Sequence, residues 1–139
     1  MKGDTVTARI LALCNQKGGV GKSTTTFHLA RAAVLAGRRV LAVDLDPQGN
    51  LTTSIAAETV EEDQPGLADA LSKHADETLR DVIVPGLWPG LDLVPTSGVE
   101  LGSVRDELVI AGAGRESRLR AALREVAHLA GDDGEAAAL

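Results

Sequence analysis

Aromatic residues and cysteines are scarce in this chain of 139 residues. It contains no tyrosine, one phenylalanine, one tryptophan and one cysteine. Proteins that hold single-stranded nucleic acid commonly stack bases on aromatic side chains, so this shortage argues against that class of function. The lone Cys14 excludes a disulfide within the chain and is typical of a reducing compartment. Because Cys14 lies in an apolar run, we expect it to pack as a small apolar residue.

Long apolar runs and a basic charge balance are also lacking. The apolar run near the N-terminus covers only residues 10–14, which is too short for a signal peptide or a membrane span. We therefore expect a cytoplasmic protein with no membrane partner. Twenty acidic residues against fourteen basic ones give a net charge of −6. This balance argues against a broad DNA-binding face.

Common catalytic and metal-binding patterns are absent from the sequence. His28, His74 and His128 have no cysteine or aspartate partners at the spacing of metal ligands, so packing or solvent exposure explains them best. The sequence has no Ser-His-Asp constellation and no Cys-x-x-Cys pair, which also argues against an iron–sulfur cluster.

A glycine-rich segment at residues 17–24 carries the strongest signal. It reads Lys-Gly-Gly-Val-Gly-Lys-Ser-Thr and lies between an apolar run and an alanine-rich helical stretch. Glycines let successive N–H groups turn toward a phosphate, and the helix that follows adds its positive N-terminal dipole. Lys22 is placed to reach the β- and γ-phosphates, and the Ser23 hydroxyl is placed to bind Mg²⁺. A glycine-rich turn with incidental lysines is the alternative. The predicted nucleotide-binding residues are Lys17, Gly18, Gly19, Val20, Gly21, Lys22, Ser23 and Thr24.

Two aspartates follow the second predicted strand. Asp44 and Asp46 project from the same face of an extended chain, and Pro47 biases Asp46 toward that conformation. A carboxylate at this place can hold Mg²⁺ through water or orient the water that attacks the γ-phosphorus. An isolated Asp-x-Asp is usually a solvated strand end, but its distance after a phosphate loop favours function here.

Both segments resemble the ParA/MinD group of P-loop ATPases. Gln16 stands where the usual Walker A pattern has glycine, and residues 17–23 resemble the deviant Walker A motif of that group. Residues 43–50 are similar to the stretch after the second strand in ParA/Soj partition ATPases. The resemblance implies two catalytic residues: Lys17 reaches into the partner subunit's nucleotide across a sandwich dimer, and Asp46 positions or activates the water. It also implies that Asp44 joins Ser23 around the magnesium.

The resemblance therefore implies an ATPase of chromosome or plasmid partitioning, with ATP and Mg²⁺ as cofactors and a homodimer as the nucleotide-bound form. It further implies a ParB-like partner, nonspecific DNA and association with the nucleoid, although the acidic charge balance argues against the DNA contact. A MinD-type positioning ATPase is a weaker alternative. The Pro47-Gln48-Gly49 stretch differs from that group, and no C-terminal amphipathic membrane helix is visible.

The order of the predicted elements gives an α/β fold. We expect a P-loop NTPase-like three-layer fold with a mainly parallel sheet, in which the near-continuous apolar run at 39–44 is a strand covered on both faces. The segment 79–84 is expected as a strand or an extended segment, followed by a turn around Trp88. The other predicted strands are a buried strand at 9–14 and a strand at 91–94. The first predicted helix covers 22–36, and Gly37 supplies its C-terminal stop. The other predicted helices cover 51–57, 67–73, 99–111 and 115–129.

The resemblance ends near Leu129. ParA-like proteins continue with an apolar strand that ends in the Walker B aspartate, whereas residues 131–139 contain charges followed by alanines. We therefore expect residues 1–130 to form the N-terminal part of a ParA-like domain, truncated before that strand, and 131–139 to be a disordered tail. The strand of the phosphate loop would then lack a neighbour. This leaves catalysis open, and a truncated non-catalytic module that binds nucleotide or a partner is the alternative function.

Overall fold

The part of the chain that the structure describes contains a five-stranded mixed sheet. A computed structural model of the chain describes residues 8–72, 76–97, 117–127 and 136–138. The strands β1–β5 are Arg9–Ile10, Arg39–Val43, Val84–Pro85, Leu91–Val94 and Ala136–Ala138. The sheet order is β1-β5-β2-β4-β3, in which β1, β5, β2 and β4 run parallel and β3 is antiparallel to β4. The helices α1–α4 are Lys22–Leu35, Asn50–Ile55, Leu67–Leu71 and Arg118–Ala127. The predicted helix at 99–111 lies outside the described residues.

Both faces of β2 are covered, as its near-continuous apolar sequence predicts. Side chains alternate along a strand, so Val40 and Ala42 join a core with α1 and α2 on one face. Val43 joins a second core with α3 and α4 on the opposite face. The predicted α/β fold with three layers is therefore confirmed, and the parallel pairing of β2 with β4 forms its centre.

A glycine lies close to each end of helix α1. Gly21 precedes the helix with φ 83°, and Gly37 follows it with φ 78°. The Gly37 N–H donates to the Val34 carbonyl at 2.9 Å, and the Arg38 N–H donates to the Ala33 carbonyl at 3.0 Å. Left-handed φ values at these positions suit glycine, so the predicted C-terminal stop at Gly37 is confirmed.

The first strand differs from its prediction. A buried strand was expected over residues 9–14, but β1 covers only Arg9–Ile10, and the side chains of Ile10 and Leu11 are 54% and 50% exposed. Cys14, expected to pack as an apolar residue, is also exposed. Among the described strands β1 is an edge and pairs with β5 alone. Apolar composition alone therefore does not bury this strand.

The alanines near the C-terminus form a strand instead of part of a disordered tail. Ala136–Ala138 pair in parallel with β1 on one side and with β2 on the other. Alanine has a low intrinsic preference for strands, which is why the sequence did not indicate one. Backbone hydrogen bonding to two neighbours overrides that preference. β1, the strand before the glycine-rich loop, therefore has β5 as a neighbour, although it was expected to lack one.

The connection before β3 is a turn over most of the predicted extended segment. Thr78 donates from both its N–H and its hydroxyl to the Asp81 carboxylate, at 2.8 and 2.6 Å. Such local hydrogen bonds favour turns over strands, and the Thr78 hydroxyl, followed by its amide, holds the pKa of Asp81 below its usual value. The turn predicted around Trp88 is confirmed by the Leu91 N–H, which donates to the Trp88 carbonyl at 2.9 Å.

Gly66→Ala is expected to destabilise the protein. A Cβ at Gly66 would lie 2.8 Å from the Pro95 carbonyl oxygen and 3.2 Å from the Ser97 backbone nitrogen. Relieving this overlap must separate α3 from the end of β4 and stretch the 2.8 Å hydrogen bond from the Leu67 N–H to the Pro95 carbonyl. We expect a loss of about 2 kcal/mol in the free energy of unfolding. Urea denaturation, monitored by the fluorescence of the single tryptophan, measures this loss of stability.

The matched control for this prediction is Gly18→Ala. The Cβ position at Gly18 has no atom within 4 Å, and its φ is not left-handed. This variant should unfold within about 0.5 kcal/mol of the parent protein. Equal stability of the two variants would contradict close packing at Gly66.

Candidate nucleotide-binding site

The glycine-rich loop connects β1 to α1, and the backbone conformation at two of its positions requires glycine. Gly19 and Gly21 have φ values of 69° and 83°, in the left-handed region that side-chain-bearing residues avoid. No atom lies within 4 Å of the Cβ positions of Gly18, Gly19 or Gly21. The loop therefore presents backbone to open space, as a phosphate-binding loop requires.

Both lysines of the loop take part in its local hydrogen bonds. The Lys17 N–H donates to the Asn15 Oδ1 at 2.9 Å, and the Lys22 Nζ donates to the Lys17 carbonyl at 3.3 Å. Lys22 is half-buried at the start of α1, whereas Lys17 is exposed. The Thr26 hydroxyl donates to the Lys22 carbonyl at 2.9 Å. The bond to the Lys17 carbonyl holds the ammonium group of Lys22 against the loop.

The two aspartates have different environments. Asp44, at the end of β2, is only 3% exposed, and its carboxylate accepts hydrogen bonds from the Asp46 N–H and from Thr52. Asp46 is half-buried, and its Oδ1 accepts a hydrogen bond from the Gln48 N–H at 3.0 Å. The Asp46 carbonyl also accepts from the Gly49 N–H at 2.9 Å. A tight turn therefore follows Asp46 and leads into α2.

A single cleft joins the two motifs. Its volume is about 840 Å³, and its walls come from residues 10–16, from Lys22 and Ser23 at the start of α1, and from residues 43–47 at the end of β2. The structure therefore brings Lys22, Ser23, Asp44 and Asp46 to one side of the molecule. The other predicted binding residues, Lys17, Gly18, Gly19, Val20, Gly21 and Thr24, lie in the adjoining loop and first helical turn, outside the cleft lining.

The oxygen groups of this cleft suit magnesium better than a softer metal. Ser23 supplies a hydroxyl and Asp46 a carboxylate, and Mg²⁺ prefers oxygen ligands that include substrate phosphates and water. Within the described ranges, no group of three or more His, Cys, Asp or Glu side chains could hold a metal by itself. A magnesium ion here would share its coordination with the phosphates of a nucleotide.

Sequence reasoning missed Thr52, Thr96 and the tight packing at Gly49. Thr52 hydrogen-bonds to Asp44 and accepts from the Thr96 N–H, and a Cβ at Gly49 would lie 3.2 Å from Thr96 Cγ2. The position of Thr96 just after β4 was the available signal. Because β2 and β4 are parallel neighbours, their carboxyl ends meet at one sheet edge. Thr96 is thereby placed beside Asp44.

Comparison with known proteins identifies the group to which this architecture belongs. A family described as an AAA domain matches residues 8–129. The chain is 40% identical over 118 residues to the sporulation initiation inhibitor protein Soj of Bacillus subtilis, covering 85% of this chain and 45% of that protein. It is 41% identical over 118 residues to the chromosome partitioning protein ParA of Caulobacter vibrioides, covering 85% of this chain and 42% of that one.

The chain belongs to this AAA-domain family and is of the ParA/Soj type. The predicted resemblance is thus confirmed. This ParA/Soj-type chain spans less than half the length of the two curated relatives. No helix in the described part of the chain has the length and apolar character needed to cross a membrane.

Solved structures support the same fold for this ParA/Soj-type chain. Cobyrinic acid a,c-diamide synthase from Mycobacterium smegmatis, crystallised with an ATP analogue and magnesium, superposes with a TM-score of 0.77 at 36% identity. The match covers 94% of this chain and 50% of that one. The nucleotide and the metal in that structure belong to a protein whose fold this chain shares.

Proposed function

We propose that this chain binds ATP and Mg²⁺ in the cleft and belongs to an ATPase of chromosome or plasmid partitioning. The observation that carries the proposal is the shared cleft, which brings Lys22 and Ser23 to the same side as Asp46. Phosphoryl transfer depends mainly on positioning and charge neutralisation, and these three side chains supply both. The partition proteins among its relatives and the ATP analogue in a solved structure support this function.

Each residue of the cleft has a proposed role. The N–H groups of the loop and the start of α1 cradle the phosphates, with Lys22 on the β- and γ-phosphates. The Ser23 hydroxyl binds the magnesium, which neutralises the charge on the phosphates when it is bound. Asp46 orients the attacking water, since its half-buried carboxylate borders the cleft. Asp44, also predicted near the magnesium, lies deeper than Asp46.

Purified protein tests the proposal directly. Binding and turnover of ATP are compared between the parent chain and the Lys22→Ala variant, and identical behaviour of the two would disprove the proposal.

A non-catalytic module that binds nucleotide or a partner is the second candidate function. The exposure of Ile10 favours it, because β1 is an edge among the described strands and an exposed strand edge is a typical docking surface. Measurable ATP affinity without turnover would support this candidate.

Lys17→Ala is expected to remove the contribution that a second subunit makes to ATP turnover. Lys17 is exposed on the loop, where its ammonium group can reach a nucleotide bound by another copy of the chain. Turnover per chain should rise with protein concentration in the parent and should be about tenfold lower in the variant at the highest concentration, because one charge-assisted contact is lost. Steady-state phosphate release measured across a dilution series tests this.

The control for this prediction is Arg80→Ala, which removes one exposed positive charge from a turn outside the cleft lining. This variant should retain the concentration dependence of the parent. A Lys17→Ala protein whose turnover still rises with concentration would contradict the role in a dimer.

The proposal extends to the surroundings of the protein through its partition relatives. It includes cytoplasmic localisation, a ParB-like partner and nonspecific DNA binding at the nucleoid.

A further inference from the structure

Both oxygens of the Asp44 carboxylate accept hydrogen bonds from the chain itself. Its Oδ1 accepts from the Asp46 N–H at 3.1 Å, and its Oδ2 accepts from both the N–H and the hydroxyl of Thr52 at 2.8 Å. The residue is 3% exposed. A buried carboxylate that already accepts three hydrogen bonds keeps about one of its acceptor positions and little accessible surface for a metal. Magnesium demands ligand oxygens at about 2.1 Å in near-octahedral geometry.

The same hydrogen bonds continue from Asp44 to the neighbouring strand. The Thr52 hydroxyl that donates to Asp44 also accepts from the Thr96 N–H at 3.1 Å, and all three residues are buried. The Asp44 N–H itself donates to the Val94 carbonyl at 3.1 Å. This network, formed by Asp44, Thr52 and Thr96, connects the ends of β2 and β4 with the start of α2. The chain segment between its first two members carries Asp46.

We infer that Asp44 is a positioning residue, which with Thr52 fixes the backbone of Asp46, and is not a magnesium ligand. The inference rests on the proposed function for the role of Asp46. A water-orienting carboxylate must be held within a fraction of an ångström of its working position. The hydrogen bond from the Asp46 N–H to Asp44 supplies this restraint, and Thr52 keeps Asp44 in place.

A pair of identical substitutions tests the network. Thr52→Val removes the hydroxyl that donates to Asp44 and accepts from Thr96. Thr96→Val keeps its backbone N–H in the network and removes only a buried hydroxyl that has no hydrogen-bond partner among the described residues. Thr52→Ser restores the hydroxyl at the first position, and Asp44→Asn removes the carboxylate.

The first measurement is amide hydrogen exchange by NMR on the full chain without nucleotide. The Asp46 N–H should exchange about tenfold faster in Asp44→Asn, where its acceptor is no longer charged, and in Thr52→Val, where Asp44 loses the hydroxyl that holds its carboxylate in place. Thr96→Val and Thr52→Ser should stay within about twofold of the parent chain. Unchanged exchange at Asp46 in Thr52→Val would overturn the inference, even if Asp44→Asn did not fold.

The second measurement separates positioning from metal binding. The magnesium concentration that half-saturates binding of a fluorescent ATP analogue should rise about tenfold in Ser23→Ala, which loses a proposed ligand. Asp44→Asn and Thr52→Val should leave it within about twofold. A rise in Asp44→Asn matching that of Ser23→Ala, with none in Thr52→Val, would identify Asp44 as a ligand and overturn the inference.

Failure of the proposed function gives a different pattern. If the parent chain binds no ATP analogue at any magnesium concentration, nucleotide binding is disproved. The exchange comparison at Asp46 still decides whether Asp44 and Thr52 hold the loop. If the parent chain turns over ATP, Thr52→Val should lower turnover about tenfold and Thr52→Ser should restore it, because one charge-assisted hydrogen bond is lost and regained. Equal losses in Thr52→Val and Thr96→Val would indicate a packing effect instead.

Discussion

Lys22→Ala is expected to weaken ATP binding about 100-fold, because the proposed ammonium contacts with two phosphates would contribute about 3 kcal/mol. Alanine is the best helix-forming residue, so α1 should still begin at position 22. The side chain of Lys22 bonds only to the Lys17 carbonyl among the hydrogen bonds described for it. Folding should therefore be little affected. Titration with a fluorescent ATP analogue gives the affinity, and circular dichroism checks the helix content.

The charge-matched control is Arg80→Ala, whose side chain lies on an exposed turn away from the cleft. Its affinity for ATP should remain within about twofold of the parent chain. An equal loss in both variants would attribute the effect of Lys22→Ala to net charge. Full affinity in Lys22→Ala would show that ATP, if it binds, does so elsewhere.

Asp46→Asn is expected to slow ATP turnover about 100- to 1,000-fold while leaving ATP affinity nearly unchanged. Asparagine can still accept the hydrogen bond from the Gln48 N–H, so the turn into α2 is kept. It lacks the negative charge that, in the proposed function, orients a water or takes its proton. The separation of binding from turnover is the signature of a group that acts on the attacking water. Phosphate release at saturating ATP measures turnover, and the fluorescent analogue measures affinity.

The control is Glu125→Gln, which neutralises one exposed carboxylate on α4 outside the cleft lining. Its turnover should match that of the parent chain. A turnover that is equally low in Asp46→Asn and Glu125→Gln would point to net charge as the cause. If ATP affinity in Asp46→Asn fell as far as turnover, Asp46 would be a binding residue, and another group would have to orient the water.

Local sequence was sufficient to predict the backbone of the glycine-rich loop and the helix that follows it. Glycine is the residue that tolerates the left-handed backbone at Gly19, Gly21 and Gly37, so these positions could be interpreted without tertiary information. The near-continuous apolar run of β2 likewise required cover on both faces, and the structure provides it. The glycine conformations depend on the local backbone alone, and the apolar run indicates that β2 is buried but not which helices cover it.

The positions of β1 and β5 could not be derived in the same way. Composition predicted a buried first strand and a disordered C-terminal tail, yet Ile10 is exposed and Ala136–Ala138 pair between two strands. Burial depends on how many neighbours a strand acquires, and strand pairing depends on backbone groups that every residue carries. Neither property is encoded in the side chains of the strand itself.

The sequence by itself determined the family and the fold class, because short motifs fix the backbone that each of them requires, and it predicted Lys22, Ser23, Asp44 and Asp46, which line one cleft. Tertiary structure alone decided how the cleft residues are supported. Thr96 lies 44 positions from Thr52 along the chain, and only the parallel pairing of β2 with β4 brings its N–H to the Thr52 hydroxyl beside Asp44. Contacts between distant segments depend on the packing of the whole sheet, so no local pattern could place them.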